Sequence, residues 1–279
     1  MNKTKLNNLA QRFATGIPGA FIMISAILWS ETSFLLLLVL MIVLCLIEFY
    51  KLCKGDGIEP QIFLGLTLGV IPFLTPLLHS AFEIPLNLLP LILIIPSLIF
   101  IRELYTHSAK PFSNIAFTLL GVIYICSPLF MFYLFAFQSG TGDGTEYNGG
   151  NILGFFIILW VTDSGAYFAG RYLGKHKFFE RISPKKTWEG FFGGAALGIL
   201  AAFIVSKYVT SFSTFDWLIT AGIIVITGAL GDLVESLFKR SLNIKDSGNL
   251  LPGHGGVLDR FDGLFIAAPF VFVYHLLFS

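Results

Sequence analysis

Nine apolar runs of about 20 residues follow one another along the chain, and a run of this length is what an α-helix needs to cross a bilayer. Charged residues make up 13% of the 279 residues, whereas a soluble protein typically carries about 25%. The sequence therefore predicts an all-α, polytopic integral membrane protein. A net charge of +1 also excludes a broadly cationic nucleic-acid binder. The predicted spans cover residues 13–30, 33–50, 61–82, 84–101, 112–138, 150–170, 190–207, 216–238 and 263–278.

The distribution of Lys and Arg predicts the orientation of these spans, because basic residues accumulate on the cytoplasmic side of a membrane. With the N-terminus in the cytoplasm and the C-terminus outside, every basic residue except Lys207 falls on the cytoplasmic side. The basic start and the first apolar run also resemble a signal peptide, but no A-x-A-type cleavage site follows them. We therefore expect an uncleaved first helix.

The spans fall into two predicted regions. Residues 1–140 hold spans one to five, and residues 141–279 form a catalytic region of spans six to nine with two basic cytoplasmic loops, 171–189 and 239–262. These short connections leave no room for a separate soluble catalytic domain, and residues 139–150 are typical of a flexible turn. Neither a disulfide framework nor a zinc site is indicated by three scattered cysteines, Cys45, Cys53 and Cys126.

Three carboxylates lie inside apolar segments, where charge is costly and therefore indicates a function. Asp163 lies toward the cytoplasmic end of span six, and Asp232 and Glu235 occupy a similar depth in span eight. The i, i+3 spacing of Asp232 and Glu235 places both on one helix face. Each carboxylate alone is also compatible with a loop Lys or Arg partner that fixes helix packing. Three carboxylates at a similar depth in the membrane instead favour a shared polar cavity that is open to the cytoplasm.

The loop 239–262 combines glycines and basic residues with a second pair of carboxylates, Asp259 and Asp262. Oxygen ligands suit magnesium, which is usually held by one or two carboxylates together with substrate phosphates. Glycines allow backbone amides to approach an anion, and basic side chains neutralise phosphate. This composition predicts a site for a metal and a polyphosphate. His254 is compatible with phosphate contact, with acid–base chemistry or with a turn cap.

The loop 171–189 contains Ser183 and Pro184, which resemble an N-cap and a first helical residue. Lys185 and Lys186 would then lie on the opening turn of a helix, where an anion meets both charges and free amides. The alternative is that these lysines, beside Trp188, only anchor the loop on the cytoplasmic side of the membrane.

Glu48, near the inner end of span two, is most simply interpreted as a partner of nearby lysines, Lys51 or Lys54.

The run from Ser236 to Asp262 contains, in order, S-x-x-K-R, K-D-S-G, P-G-H-G-G and D-R-x-D. With the segment that begins at Asp163 and the segment from Ser183 to Gly190, this run resembles the bacterial phosphatidate cytidylyltransferase (CDP-diacylglycerol synthase) family. The resemblance covers about the last 120 residues. It implies transfer of the cytidylyl group of CTP to phosphatidate, giving CDP-diacylglycerol and pyrophosphate for phospholipid biosynthesis.

The resemblance also implies roles for individual residues. The implied catalytic residues are Asp232, Asp259, Lys239, Arg240 and Lys245. The implied substrate-binding residues are Ser183, Lys185, Lys186, Thr187, Asp163, His254, Gly255, Gly256 and Arg260. The implied metal ligands are Asp232 and Asp259, supported by Glu235 and Asp262. The implied cofactor is Mg²⁺, with which K⁺ is associated in the family.

The same resemblance implies a multi-pass protein of the bacterial inner (plasma) membrane with its active site facing the cytoplasm. The expected partners are CTP, phosphatidate, the lipid bilayer and a second copy of the chain in a homodimer, but no nucleic acid. Two alternatives remain open at this point. A CTP-dependent lipid kinase of the polyprenol or phytol type would release CDP instead of pyrophosphate. A secondary transporter is disfavoured because the charges are one-sided and no repeat is visible.

Overall fold

The computed structural model describes residues 3–55, 57–82, 86–139, 145–244, 247–248 and 255–279. Helices dominate these residues, which confirms the predicted all-α class. The α-helices are α1 Lys3–Trp29, α2 Glu31–Lys54, α3 Ile62–Phe82, α4 Ile94–Leu104, α5 Pro111–Gly121, α6 Ser127–Phe135, α7 Gly149–Leu173, α8 Trp188–Tyr208, α9 Thr214–Ser241 and α10 Leu258–Phe278. Two small antiparallel hairpins pair β1 Phe137–Ser139 with β2 Thr145–Tyr147, and β3 Lys177–Phe179 with β4 Ser183–Thr187.

Six helical stretches among the described residues are long and apolar enough to cross a membrane. These stretches are Glu31–Lys54, Pro111–Phe135, Gly149–Leu173, Trp188–Tyr208, Thr214–Ser241 and Leu258–Phe278, and shorter apolar helices cover Gly16–Trp29 and Ile62–Leu77. The chain is therefore a polytopic membrane protein.

The predicted fourth span, 84–101, is not one regular α-helix. A 3₁₀ helix covers Leu86–Leu93 and contains Pro90, and α4 follows it. Proline lacks a backbone N–H and clashes with the preceding turn, so an α-helical ladder is interrupted there. A π-helical turn, Val122–Cys126, also joins α5 to α6 within the predicted fifth span.

Unit 1 is a compact body formed by Met1–Phe130 together with Asp246–Asp259. Tyr50 of α2 lies at its centre, is fully buried, and donates its hydroxyl hydrogen to the Thr118 carbonyl of α5 at 2.8 Å. Glycine is required at Gly65 and Gly121 because a Cβ atom at either position would collide with the Tyr50 ring. The absence of a side chain at these two positions therefore leaves the space that the Tyr50 ring occupies.

A buried carboxylate network joins three segments of unit 1. Glu103 of α4 is 6% exposed, and both of its oxygens accept hydrogen bonds at 2.7 Å, Oε2 from the Gln61 amide and Oε1 from the Asn114 amide. The Asn114 amide also donates to Ser108 Oγ at 2.7 Å. Burial of a carboxylate is tolerable here because strong donors replace water. This network fixes the connections at the ends of α3, α4 and α5.

Unit 2 is a second compact body formed by Met131–Lys245 together with Arg260–Ser279. Its helices α7 and α8 approach closely at small residues: a Cβ atom on Gly194 would lie 2.8 Å from the Thr162 carbonyl oxygen. Helices α9 and α10 approach in the same way, since a Cβ atom on Gly231 would collide with the Asp262 carbonyl oxygen. Close backbone approach at glycine is the usual way in which membrane helices gain packing contact.

Two predictions about loop structure are wrong. Ser183 does not cap a helix: Ser183–Thr187 forms β4, and α8 begins at Trp188 with Thr187 as its N-cap. Proline is tolerated at position 184 because β4 has only one neighbouring strand, β3, so part of its backbone needs no N–H donor for the sheet. The loop 239–262 is also shorter than predicted, since Lys239 and Arg240 belong to the last turn of α9 and α10 begins at Leu258.

Candidate active site

Three carboxylates that the sequence singled out come together within unit 2. Asp163 lies on α7, Asp232 on α9 and Asp262 on α10, and each interacts electrostatically with the other two. Asp163 is exposed, and Asp232 and Asp262 are half-buried, so a ligand can reach the carboxyl oxygens. We call Asp163, Asp232 and Asp262 the carboxylate cluster. Three neighbouring negative charges are unfavourable unless a cation compensates them.

Lys186 of β4 supplies a positive charge to the carboxylate cluster. Its Nζ atom lies 2.7 Å from Asp232 Oδ2 and donates to the Ala229 carbonyl oxygen at 3.1 Å. Electrostatic interactions also link Lys186 to Asp163 and Asp262. Side chains alternate along a strand, and Lys185, the neighbour of Lys186 on β4, is exposed. The β3–β4 hairpin therefore delivers a lysine to the carboxylates in place of the predicted helix start.

Glu235 lies beside the cluster and is 1% exposed. Its side chain interacts with that of Asp262, and its Oε2 atom pairs with Lys239 Nζ, one helical turn further along α9, at 3.2 Å. Ser236 Oγ donates to Asp232 Oδ1 at 3.2 Å. These contacts fix the carboxylates of α9 and α10 in place. The predicted role of Glu235 as a supporting metal ligand stays a prediction.

The residues fit a divalent cation by the chemistry of their donors, since carboxylate oxygens are the ligands that magnesium prefers. Among the described residues, no group of three or more His, Cys, Asp or Glu side chains is gathered at metal-binding distances. Magnesium does not need such a group, because it usually keeps waters and substrate phosphates beside one or two carboxylates. The cluster therefore matches a cation that binds together with a phosphate.

The glycine-rich end of the signature run belongs to unit 1. Asp259 Oδ2 accepts hydrogen bonds from the backbone amides of Ser247 and Gly256, both at 3.1 Å. Gly255 has a φ of +86°, a conformation that side chains disfavour. The backbone around Gly255 and Gly256 thus wraps the Asp259 carboxylate.

Glu48 of α2 also contacts this end of the run, and sequence reasoning missed it. Its buried carboxylate accepts hydrogen bonds from Ser247 Oγ and from the backbone amides of Val257 at 2.7 Å and Leu258 at 3.4 Å. Lys51 and Lys54 both belong to the described part of the chain, and neither forms an ion pair with Glu48. The predicted pairing is therefore wrong. The only sequence signal was a carboxylate near the end of an apolar run.

Several other predicted site residues have contacts or positions that do not involve the carboxylate cluster, and two lie outside the part of the chain that the structure describes. Thr187 Oγ1 accepts the Gly190 amide hydrogen as the cap of α8, and Arg240 donates to the Ile244 carbonyl oxygen at 2.9 Å. Ser183 lies half-buried on β4, and Arg260 is exposed at the start of α10. Lys245 and His254 fall outside the described residues. The substrate roles assigned to these residues stay predictions.

A carboxylate cluster faced by a lysine, on helices that are long and apolar enough to cross a bilayer, defines a polytopic membrane protein with a charged site between its helices. A model of the cytidylyltransferase family matches residues 10–278, and the chain belongs to this family.

Relatives named phosphatidate cytidylyltransferase are similar to the chain over most of its length. The Bacillus subtilis enzyme is 32% identical over 279 residues, which cover 98% of this chain and 99% of the relative. The Staphylococcus haemolyticus enzyme is 37% identical over 264 residues, which cover 92% of this chain and 95% of the relative. The Staphylococcus epidermidis enzyme is 43% identical over 175 residues, or 61% of this chain and 64% of the relative.

Proposed function

We infer that this chain transfers the cytidylyl group of CTP to phosphatidate, giving CDP-diacylglycerol and pyrophosphate. The observation that carries the inference is its similarity to phosphatidate cytidylyltransferases over nearly the whole chain. The site geometry agrees with a reaction between two anionic phosphates, because it joins acidic and basic side chains at the polar ends of membrane helices.

The reaction is a displacement at phosphorus. A phosphate oxygen of phosphatidate attacks the α-phosphorus of CTP, a new P–O bond forms, and the bond to the β-phosphate oxygen breaks with release of pyrophosphate. The attacking oxygen is already anionic near neutral pH, so no strong general base is needed. The barrier lies in bringing two anions together, and positioning with charge stabilisation lowers it.

Lys186 is the described residue best placed to stabilise phosphate charge. Its ammonium group lies at the carboxylate cluster, where the hydrogen bond to the Ala229 carbonyl orients it. A phosphate that replaces Asp232 as its partner keeps the ammonium charge compensated. Lys186 would therefore bind the triphosphate and stabilise charge on the leaving pyrophosphate.

We propose that magnesium binds at the carboxylate cluster, held by Asp232 and Asp262 with Asp163 in support. When bound, the metal would screen the phosphate charges and act as a Lewis acid at a phosphoryl oxygen. Asp259 and Glu235 stay predicted ligands from the motif resemblance, and K⁺ stays a predicted companion ion. Removal of divalent cations with EDTA should abolish turnover, and added Mg²⁺ should restore it, with the thermal unfolding midpoint nearly unchanged.

The test of the reaction is the product. Purified protein in detergent micelles, given CTP, Mg²⁺ and phosphatidate, should release pyrophosphate and form CDP-diacylglycerol, identified by mass spectrometry of the lipid. Asp232→Asn and Asp259→Asn should each abolish the reaction while the protein still inserts and purifies. Formation of CDP in place of pyrophosphate would show a lipid kinase, and near-normal turnover in both variants would refute the site assignment.

We also propose nine spans, with a cytoplasmic N-terminus, an external C-terminus and a cytoplasmic active site in the bacterial inner membrane. The buried cysteines, Cys45, Cys53 and Cys126, permit a labelling test, since an added surface thiol reacts faster than they do. A membrane-impermeant maleimide on intact cells should label Lys207→Cys and spare Lys177→Cys. The reverse pattern would overturn the orientation. The expected homodimer stays a prediction for light scattering to test.

A further inference from the structure

Glu48 is a buried carboxylate whose partners all come from one distant part of the chain. It is 3% exposed, and its partner Ser247 lies 199 residues further along the sequence. Oε1 accepts from the Ser247 hydroxyl group, and Oε2 accepts from the Val257 and Leu258 amides. A buried carboxylate costs free energy unless strong donors surround it. Glu48 and this segment therefore stabilise each other's position.

The same segment holds Asp259, the motif carboxylate. Ser247 donates its hydroxyl hydrogen to Glu48 and its amide hydrogen to Asp259 Oδ2, and the Gly256 amide donates to the same Asp259 oxygen. A Cβ atom at Gly256 would collide with Glu48 Oε1 and Ser247 Oγ. The glycine at 256 therefore permits close approach of its backbone to the Glu48 carboxylate. One short segment is fixed by two carboxylates, one from α2 and one from its own end.

We propose that Glu48 is a positioning residue of the transferase: it holds residues 247–248 and 255–258 so that Asp259 is kept in a fixed orientation. The inference rests on the proposed function. Val257 and Leu258 lie at the start of α10, where backbone amides have no partner within the helix. A carboxylate at this end also interacts favourably with the helix dipole. Glu48 thereby fixes the first residues of α10 as well as the glycine segment.

Glu48→Gln is the informative substitution. Glutamine has nearly the same shape, but its NH₂ group cannot accept a hydrogen bond. The favoured orientation of the amide keeps its oxygen on the Val257 amide and turns NH₂ toward Ser247 Oγ, which can accept a hydrogen bond, so the substitution removes the carboxylate charge and reverses the Ser247 hydrogen bond. We expect kcat for CDP-diacylglycerol formation, per folded protein, to fall about tenfold to a hundredfold, the loss typical when a group that orients a ligand is removed. Ser247→Ala, which removes one donor, should lose less and should not add to Glu48→Gln.

Glu103→Gln is a matched control. Glu103 is likewise a buried carboxylate of unit 1 with both oxygens in use, but its partners are the Gln61 and Asn114 side chains. It should lose stability without a comparable loss of kcat. Hydrogen exchange followed by mass spectrometry gives a readout independent of turnover. The amides of Val257 and Leu258 should exchange faster in Glu48→Gln and at the wild-type rate in Glu103→Gln.

The outcomes separate the positioning role from the reaction itself. Unchanged exchange at residues 255–258 in Glu48→Gln would overturn the proposal, as would a kcat within about threefold of wild type. An equal loss of kcat in Glu103→Gln would reduce Glu48 to a stability residue and overturn it too. If the wild-type protein forms no CDP-diacylglycerol, the proposed function fails and the positioning role fails with it. An active wild type with an active Glu48→Gln overturns the positioning role alone.

Discussion

Replacing Lys186 with methionine keeps most of the volume of the side chain and removes the charge that lies 2.7 Å from Asp232 Oδ2. The two side chains are 24% and 43% exposed, so water screens the pair and it contributes up to about 1 kcal/mol to stability. The hydrogen bond from the charged Nζ to the Ala229 carbonyl contributes about 1.5 kcal/mol more. We expect Lys186→Met to lower the free energy of unfolding by roughly 1 to 3 kcal/mol, which leaves the protein folded.

The expected loss of rate is much larger than this loss of stability suggests. Removal of one preorganised group that stabilises developing charge costs about a hundredfold to a thousandfold in kcat. Asp232→Asn gives the opposite balance: it removes one of three repelling charges, so its stability should stay within about 1 kcal/mol of wild type while turnover disappears. Lys177→Met, on the exposed strand of the same hairpin, should change neither quantity.

Two measurements on each variant decide the matter: pyrophosphate release from CTP and phosphatidate in micelles, and thermal unfolding of the same preparation. If Lys186→Met keeps a rate within about threefold of wild type, the ammonium is structural and the proposed role is wrong. If Asp232→Asn is strongly destabilised, the carboxylates do not repel one another as the geometry indicates.

Three further changes have defined outcomes. Gly256→Ala should destabilise unit 1 by about 1 to 3 kcal/mol in thermal unfolding, because its Cβ atom collides with Glu48, and an unchanged midpoint would contradict that contact. Tyr50→Phe should cost about 1 to 1.5 kcal/mol, since the buried Thr118 carbonyl loses its donor, with kcat unchanged; a lower kcat would extend the site to this tyrosine. Thr187→Ala should cost about 1 kcal/mol as the α8 cap is lost. A rise of the KM for CTP in Thr187→Ala would support its predicted binding role.

The long helices could be predicted from the sequence because their signal is local. The second span, predicted at 33–50, is α2 at Glu31–Lys54, and the seventh, predicted at 190–207, is α8 at Trp188–Tyr208. A bilayer imposes length and apolarity on every spanning segment, so the pattern lies within each segment. The irregularity of the predicted fourth span was not apparent from its apolar pattern, since the run is long enough and only Pro90 marks the place of the 3₁₀ helix.

The motif carboxylates could also be singled out, because charge in an apolar segment is conspicuous. Their partners could not. Ser-Pro is compatible both with a helix start and with a short strand, and only the pairing of Ser183 with Phe179 decides for the strand. Glu48 has lysines within six residues, yet its donors come from the other end of the chain. Hydrogen bonds between residues that are far apart in the chain produce no periodic pattern and no fixed spacing in the sequence, so they could not be predicted from it.

Two of the described carboxylates differ from Asp163 in what satisfies them. Glu48 and Glu103 are buried, and protein donors hold both oxygens of each, so they act on the protein's own backbone and side chains. Asp163 is exposed, and among the described residues it meets two other carboxylates and Lys186 instead of a hydrogen-bond donor. Added positive charge would reduce the repulsion among these carboxylates. A magnesium complex of CTP would bring that charge together with the phosphates.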